Sequence, residues 1–376
     1  MIEADADARF MTAAIGLARR GLGLCAPNPA VGALIVRDGV IVARGWTQSG
    51  GRPHAETEAL SKAGPLARGA TLYVTLEPCS HHGKTPPCAE AIVAAGIVRV
   101  VSAIEDPDPR VAGRGHRILE AAGIKVTTNV CAEAALRGNL GHVLRVTKGR
   151  PMAALKLALT ADGFAAAPEG EPRLSITGAV ANGYVHMLRA MHDAILVGAR
   201  TALADNPLLT VRLAGLEARK PLRVVIDSDL KLRLKSRLVE TAAVYPVLVI
   251  AAEDASTEKE ARLASLGVDV ARVRRDEAGH AELGDAFELL AARGLTRVFC
   301  EGGPTLADAL IARGLADEVI VLTSAKPLGR EGRAGLDAAS LAALADPARY
   351  EKVETRMIGE DRLMRSERVL RSERIL

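Results

Sequence analysis

Aromatic side chains are scarce in this sequence: one Trp, four Tyr and four Phe make up 2% of 376 residues. A protein that binds single-stranded nucleic acid needs aromatic platforms for stacking, so the scarcity speaks against that class. No Lys/Arg block gathers the formal net charge of +4 into a patch, and no nucleic-acid partner is expected. Scattered positive charge suits small anionic substrates such as sugar phosphates. No apolar run is long enough to span a bilayer, and the acidic opening MIEADADARF lacks the apolar stretch of a signal peptide. The five cysteines (Cys25, Cys79, Cys88, Cys131 and Cys300) are too sparse for a disulfide framework. They read as reduced thiols in an intracellular protein, some of them free to bind metal. The expectation is a cytoplasmic protein with no membrane partner.

Half of the chain is apolar and a quarter is charged, which suits globular domains with sizeable cores. The length predicts two domains of about 150 to 220 residues. Over the first 148 residues helix and strand signals alternate. Helices are expected at 7–20, 54–63, 87–95 and 113–122, with strands at 71–76, 98–103 and 125–129. Residues 31–36 and 40–45 flank Asp38-Gly39, a strong hairpin signal. The pattern predicts a three-layer α/β sandwich containing one antiparallel hairpin. Lys148-Gly149-Arg150-Pro151 has the composition of a domain boundary. Beyond it, strands are expected at 153–159, 194–198, 222–227, 246–251 and 297–300, and helices near 178–190, 283–293 and 304–312. The stretch 165–173 reads as an exposed loop. The tandem RSERVL and RSERIL at the end reads as a charged, frayed tail.

Three short segments carry the chemistry: Pro53-His54-Ala55-Glu56 opening a helix, Thr75-Leu76-Glu77-Pro78-Cys79 leaving a strand, and Pro86-Pro87-Cys88 entering a helix. A catalytic zinc site takes three N/S ligands and leaves the fourth position to water. His54, Cys79 and Cys88 supply such a set, and helix N-termini favour the thiolates. Glu56, two residues past the ligand His, is placed to move protons between a zinc-activated water and a leaving amine. The pieces follow the zinc-deaminase order His-x-Glu then Pro-Cys-x-x-Cys, but here eight residues, 80–87, separate the cysteines. A structural zinc would need a fourth protein ligand, for which His81 or His82 stands nearby.

The second half is less explicit. Gly21 to Ala26 matches a dinucleotide fingerprint in form, but it follows a helix and is rejected. Cys300-Glu301-Gly302-Gly303-Pro304-Thr305 ends a strand and begins a helix, so its small residues let backbone N–H groups approach a phosphate.

The string Thr75 to Cys88, with Ala26-Pro-Asn-Pro-Ala-Val-Gly32 and Pro53 to Glu56, resembles the bacterial RibD family. These are the bifunctional diaminohydroxyphosphoribosylaminopyrimidine deaminases and 5-amino-6-(5-phosphoribosylamino)uracil reductases of riboflavin biosynthesis. The resemblance continues through Leu155–Gly163, Ile176–Gly178, Thr201–Arg212 and Ile226–Ser228. It implies a cytidine-deaminase-like α/β/α sandwich over 1–148 and a dihydrofolate-reductase-like α/β domain over 151–376. It also implies zinc on His54, Cys79 and Cys88, with Glu56 as proton shuttle and Asn28, His82 and Lys84 against the phosphoribosyl pyrimidine. In the second domain the resemblance implies NADPH lined by Ala158, Ser175, Thr201, Asp205 and Ser228. The run Gly303, Pro304, Thr305, Leu306, Ala307, Asp308 and Ala309 would complete that lining. Arg189, Leu209, Arg212 and Glu301 would hold substrate, and Lys156, Asp205 and Glu301 would handle protons. A homo-oligomer is expected as well. One departure stands out: many relatives carry Trp where this chain has Ser175, and the preceding loop is one residue longer than in some relatives. The missing aromatic wall predicts weaker cofactor stacking there. It is also what a deaminase with a non-catalytic second domain would show.

Overall fold

The computed structural model describes residues 2–82, 86–168, 171 and 174–369. The chain divides into two compact units that meet in sequence at Arg150/Pro151.

The first unit runs α1 (Ile2–Ala18), β1 (Gly32–Arg37), β2 (Val40–Trp46), α2 (Ala55–Ala63), β3 (Thr71–Val74), α3 (Cys88–Ala94), β4 (Arg99–Ser102), α4 (Arg114–Ala121), β5 (Lys125–Thr127) and α5 (Ala132–Lys148). Its five strands are ordered β2-β1-β3-β4-β5. β1 is antiparallel to both its neighbours, while β3, β4 and β5 are parallel. The hairpin turns at Asp38 and Gly39, both with positive φ, as the Asp-Gly signal requires. One core of small and branched residues, among them Ala33, Leu34, Ile35, Leu72, Val100 and Ile92, joins sheet and helices. Helix α5 is an addition to the expected elements.

The second unit begins with β6 (Met152–Leu159), β7 (Phe164–Ala166), α6 (Ala179–Ala190), β8 (Ala194–Gly198), α7 (Ala199–Asp205), β9 (Leu222–Ile226), α8 (Arg237–Glu240) and β10 (Val247–Ala252). It continues with α9 (Thr257–Ser265), β11 (Asp269–Val273), α10 (Leu283–Ala292), β12 (Arg297–Cys300), α11 (Pro304–Ala312) and β13 (Glu318–Thr323). It ends with β14 (Arg333–Ala334), α12 (Ala338–Ala345), β15 (Tyr350–Ile358) and β16 (Asp361–Arg368). Nine strands form one sheet in the order β11-β10-β9-β8-β12-β6-β13-β16-β15, parallel up to β13 and antiparallel beyond it. Strand residues alternate between two cores: Leu196, Val224 and Leu248 face one, and Ile195, Val225 and Val249 face the other. Burial on both faces is why these strands read as continuous apolar runs. Two expectations are corrected here. Arg365 to Arg368, the start of the supposed tail, lies in β16 and is hydrogen-bonded between β13 and β15. Residues 165 and 166 of the supposed loop belong to β7, which pairs with β14.

Helix α2, which carries His54 at its N-cap and Glu56 in its first turn, lies directly on the hairpin. A Cβ on Gly45 would stand 2.1 Å from the carbonyl oxygen of Ala55 and 2.7 Å from the nitrogen of Ala59. Helix backbone therefore rests on strand backbone, and only glycine permits it. Gly45→Ala is expected to push α2 off the sheet and destabilise the first unit by about 2 kcal/mol or more. The chain's single Trp, Trp46, lies in this unit, so its fluorescence in a urea titration reports the midpoint. An unchanged midpoint would show that the contact carries no constraint.

Candidate active sites

β3 ends at Val74, and the chain continues through Glu77 and Pro78 to Cys79, while Cys88 begins α3. With His54 at the head of α2, three segments converge. Nδ1 of His54 lies 3.7 Å from Cys79 Sγ and 3.4 Å from Cys88 Sγ. The ligand atoms of the three residues all stand within 4.8 Å of one another. Zn–S bonds of about 2.3 Å and Zn–N bonds of about 2.0 Å in tetrahedral geometry put sulfur and nitrogen about 3.5 Å apart, so the set fits zinc. None of the cysteines is in a disulfide.

The donors are held from behind. The Cys88 N–H donates to Cys79 Sγ at 3.3 Å, and Thr57 Oγ1 stands 3.9 Å from Cys88 Sγ. Cys79 is pulled down to about 4, first by the Cys88 thiol and also by His54, whose own pKa is raised by Cys79. Cys88 is pushed well up by the adjacent Cys79 and by burial. A divalent cation favours both thiolates. Glu56 is 4% exposed. Burial, and after it the Cys79 charge, pushes its carboxyl up to about 7. Asn28 Nδ2 donates to the Gly51 carbonyl at 2.8 Å and lies 3.4 Å from His54 Nε2, which places it at the rim of the triad.

Glu77 has a different part. Its buried carboxylate accepts the backbone N–H groups of Asp106, Gly113, Gly115 and His116 at 2.8 to 3.3 Å. Ligand-type atoms of Glu77, Glu105 and His116 also cluster within 4.8 Å, but these backbone donors already engage the Glu77 oxygens. His82 is exposed and stands 3.5 Å from Glu90. Lys84 lies outside the described residues.

In the second unit, Glu301 follows β12 directly, and Cys300 pairs with Leu155 of β6, so Glu301 and Lys156 stand at neighbouring strand positions. Arg189 on α6 grips Glu301 bidentately at 2.5 and 2.9 Å and donates to the Thr210 carbonyl at 2.9 Å. Burial opposes the Glu301 charge, but the Arg189 guanidinium wins and holds the carboxyl below its usual range. Arg212 joins the group through Thr210 Oγ1 at 3.2 Å, and its N–H donates to His186 Nδ1 at 3.1 Å. Leu209 is buried beside them with φ 50, a left-handed backbone that non-glycine residues seldom adopt outside functional loops.

Gly303 caps α11 without a side chain, and its N–H donates to Thr201 Oγ1 at 3.1 Å. An anion at the first turn of α11 would meet the backbone N–H groups of a helix N-terminus. Thr305 Oγ1 accepts from Arg200 at 3.3 Å and from Arg333 at 2.7 Å. These two arginines and Thr57 escaped the sequence reading, and Arg333, 28 residues from Thr305, offers no local signal. Pro304, Leu306 and Ala309 continue the helix, but Ala307 is fully buried in the core, and Asp308 accepts the Asp337 N–H at 3.1 Å. Ser228 Oγ accepts the Ala281 N–H at 2.7 Å. Ala158 lies on β6, half-buried Asp205 closes α7, and exposed Ser175 lies in the loop before α6.

Two stability predictions follow from these charges. The folded chain holds a proton on Glu56 that the unfolded chain has lost between about pH 4.5 and 7. In chelator-treated protein this group by itself should lose on the order of 2 to 3 kcal/mol as pH rises through that window, read as the difference from Glu56→Gln because the lowered Cys79 thiol acts in the opposite sense in both proteins. Glu56→Gln should lack this slope, and parallel urea-midpoint curves for the two proteins would refute it. Arg189→Met strands the Glu301 charge and should cost about 3 to 5 kcal/mol, read as lost amide-exchange protection in β6 and β12. Protection equal to that of the parent would show that Glu301 finds another partner.

Residues 4–104 match the cytidine and deoxycytidylate deaminase zinc-binding region, and residues 151–364 match the RibD C-terminal domain. The riboflavin biosynthesis protein RibD of Escherichia coli (strain K12) is 39% identical over 366 residues, covering 94% of this chain and 97% of that protein. Its counterpart in Aquifex aeolicus is 36% identical over 95% of this chain and 97% of that protein. Among solved structures, Acinetobacter baumannii RibD (form 1) superposes with a TM-score of 0.85 at 35% identity, covering 98% of this chain and all of that one. A Thermotoga maritima diaminohydroxyphosphoribosylaminopyrimidine deaminase/5-amino-6-(5-phosphoribosylamino)uracil reductase gives 0.82 at 34% identity, again over 98% of this chain and all of that one. A zinc-type deaminase unit and a reductase unit in one chain, alike to these proteins from end to end, make it a member of the RibD family of bifunctional deaminase/reductases in riboflavin biosynthesis.

Proposed function

We propose that the first unit deaminates 2,5-diamino-6-(5-phosphoribosylamino)pyrimidin-4(3H)-one, and that the second reduces the ribosyl group of the product to ribityl with NADPH. The observation that carries the first half is the convergence of His54, Cys79 and Cys88 with Glu56 buried beside them. His54, Cys79 and Cys88 would hold zinc, which supplies activation of the attacking water. Glu56 takes a proton from the water and returns it to the departing amine, so that water enters and ammonia leaves. A carboxyl that titrates near neutrality can both accept and release that proton. Asn28 at the rim would contact the ring, and His82 and Lys84 are the candidates for binding the phosphoribosyl arm.

In the second unit NADPH, when bound, would supply the hydride for C1′ of the opened ribosyl imine. Thr201, Ser228 and the first turn of α11 would hold the nucleotide, with Ala158, Ser175 and Asp205 along it. The Arg189–Glu301 pair, Arg212 and Leu209 would fix the phosphoribosyl group. Lys156, Asp205 and Glu301 are the proton-handling groups. The same reading takes the protein to be a cytoplasmic homo-oligomer.

Mass spectrometry of the pyrimidine phosphoribosyl compound incubated with zinc-loaded protein tests both halves. Replacement of NH by O without cofactor, then a gain of two hydrogens with NADPH, is the expected result. Deamination that stops there would remove the reductase half, and no change in mass would remove both. Glu56→Gln is expected to slow deamination by about 10² to 10⁴-fold at unchanged zinc content. Native-rate ammonia release from that variant would overturn the proton-carrier role.

A further inference from the structure

No helix or strand takes in residues 206–212, yet Leu209, Thr210 and Val211 inside that segment are buried. Buried backbone polar groups need partners, and here side chains from two directions supply them. From β9, Arg223 Nη1 donates to the Leu208 carbonyl at 3.1 Å. From α6, Arg189 Nη1 donates to the Thr210 carbonyl at 2.9 Å, and His186 Nδ1 accepts the Arg212 N–H at 3.1 Å. His186 and Arg189 stand three apart on α6 and so share one face. That face holds a carbonyl and an N–H two residues apart in the segment, and the Arg223 contact lies on the other side of left-handed Leu209. The Arg212 side chain is turned back on the same segment, with Nη1 donating to Thr210 Oγ1 at 3.2 Å.

Of the three side chains that hold the segment, only His186 changes its protonation near neutral pH. An imidazole nitrogen that accepts a hydrogen bond carries no proton, so the ring is neutral with its proton on Nε2. The charges acting on it are Arg189 on its own helix, Arg212 on the segment and Glu301 after β12. Burial first, then the two arginines, hold the ring below the usual histidine value, against the pull of Glu301 and the Thr210 backbone. A protonated Nδ1 would set one N–H against another at Arg212. The neighbouring acceptor, the Thr210 carbonyl, already serves Arg189.

We propose that His186 is a positioning residue of the reductase site, whose neutral imidazole fixes the Arg212 backbone and with it the segment that meets the substrate. The inference rests on the reductase reading above, in which Arg189, Leu209 and Arg212 hold the phosphoribosyl group, and adds the residue that sets their spacing. His186 acts through Arg212 and not on the reacting atoms.

The test measures reduction of the deaminated phosphoribosyl compound by zinc-loaded, full-length protein at saturating NADPH. His186→Leu, which keeps bulk and removes the acceptor, should raise KM about 3- to 10-fold with kcat within about twofold of the parent. His186→Asn offers Oδ1 near the place of Nδ1 and should return KM to within about twofold of the parent at about pH 8. As pH falls from about 8 to about 5, the parent KM should rise relative to that of His186→Asn, because only the histidine loses its acceptor on protonation. The substrate phosphate, with a second pKa of about 6, titrates alike in both proteins, so this ratio isolates the ring. The ratio decides the question even where the leucine variant does not fold. A KM unmoved by His186→Leu, equal losses in the two variants, or a ratio that stays flat with pH would each overturn the role while the reductase reading stands. A parent that leaves the compound unreduced at every pH would overturn both readings together.

Discussion

The deaminase unit depends on one buried carboxylate that does no chemistry. Glu77 stands two residues before the ligand Cys79 and gathers four backbone N–H groups from the segment 106–116. Those donors include two from the first turn of α4, so the charge sits where the helix dipole favours it. The helix approaches so closely that a Cβ on Gly115 would lie 2.0 Å from the Pro78 carbonyl oxygen. Glu77 thereby sets the distance between the loop that carries Cys79 and helix α4. A buried carboxylate stripped of these donors would face the full cost of desolvation. Metal ligand and helix α4 are thus placed by a single hydrogen-bonding constraint.

The second unit is organised differently. Its sheet is buried on both faces, and the candidate side chains emerge where strands end: Glu301 after β12, Ser228 after β9 and Thr201 after β8. Carboxyl ends of parallel strands are where open α/β sheets place ligands. Arg223 shows how firmly the loops there are tied. Fully buried on β9, its guanidinium donates to the carbonyls of Leu208 at 3.1 Å and Leu238 at 3.2 Å, to the Tyr245 carbonyl, and to Thr241 Oγ1 at 2.8 Å. The Leu208 contact fixes the residue before Leu209, whose unusual backbone would otherwise relax.

The zinc triad was legible because its chemistry constrains residue type and order, and the short strands because burial on both faces leaves apolar runs. Helix α5 was not, since Gly138 and Gly141 interrupt its interior and Cys131, a poor cap, precedes it. Tertiary packing holds it, with Ala135, Val143 and Leu144 buried. Strands β15 and β16 were hidden by charge: Arg365 and Glu367 look like a solvated tail. In the fold Arg365 pairs with Glu318 across the ladder at 3.2 Å. The edge strand β15 carries Glu351, Lys352, Glu354 and Arg356, charge that protects a sheet edge from further pairing and that for the same reason does not announce a strand. Arg200 and Arg333 meet only through Thr305, a contact that no local pattern encodes.

Two glutamates show how one side-chain type is set to opposite tasks. Glu56 and Glu301 are both withdrawn from water, and burial alone would push both carboxyls up. Among the described residues no arginine makes an ion pair with Glu56, and the neighbouring Cys79 charge adds to burial, so its carboxyl rises to about 7 and can both take and give a proton. Glu301 has Arg189 locked across both oxygens, which holds it ionised and fixed in place. A positively charged metal at the triad would draw Glu56 toward the ionised form, so that its protonation follows the state of the site. Glu301 cannot respond in that way, because its counter-charge is a permanent part of the fold. Proton transfer therefore suits Glu56, whose charge is adjustable. Glu301, proposed above to take part in proton handling, would do so as a fixed negative field beside Lys156 while it positions substrate.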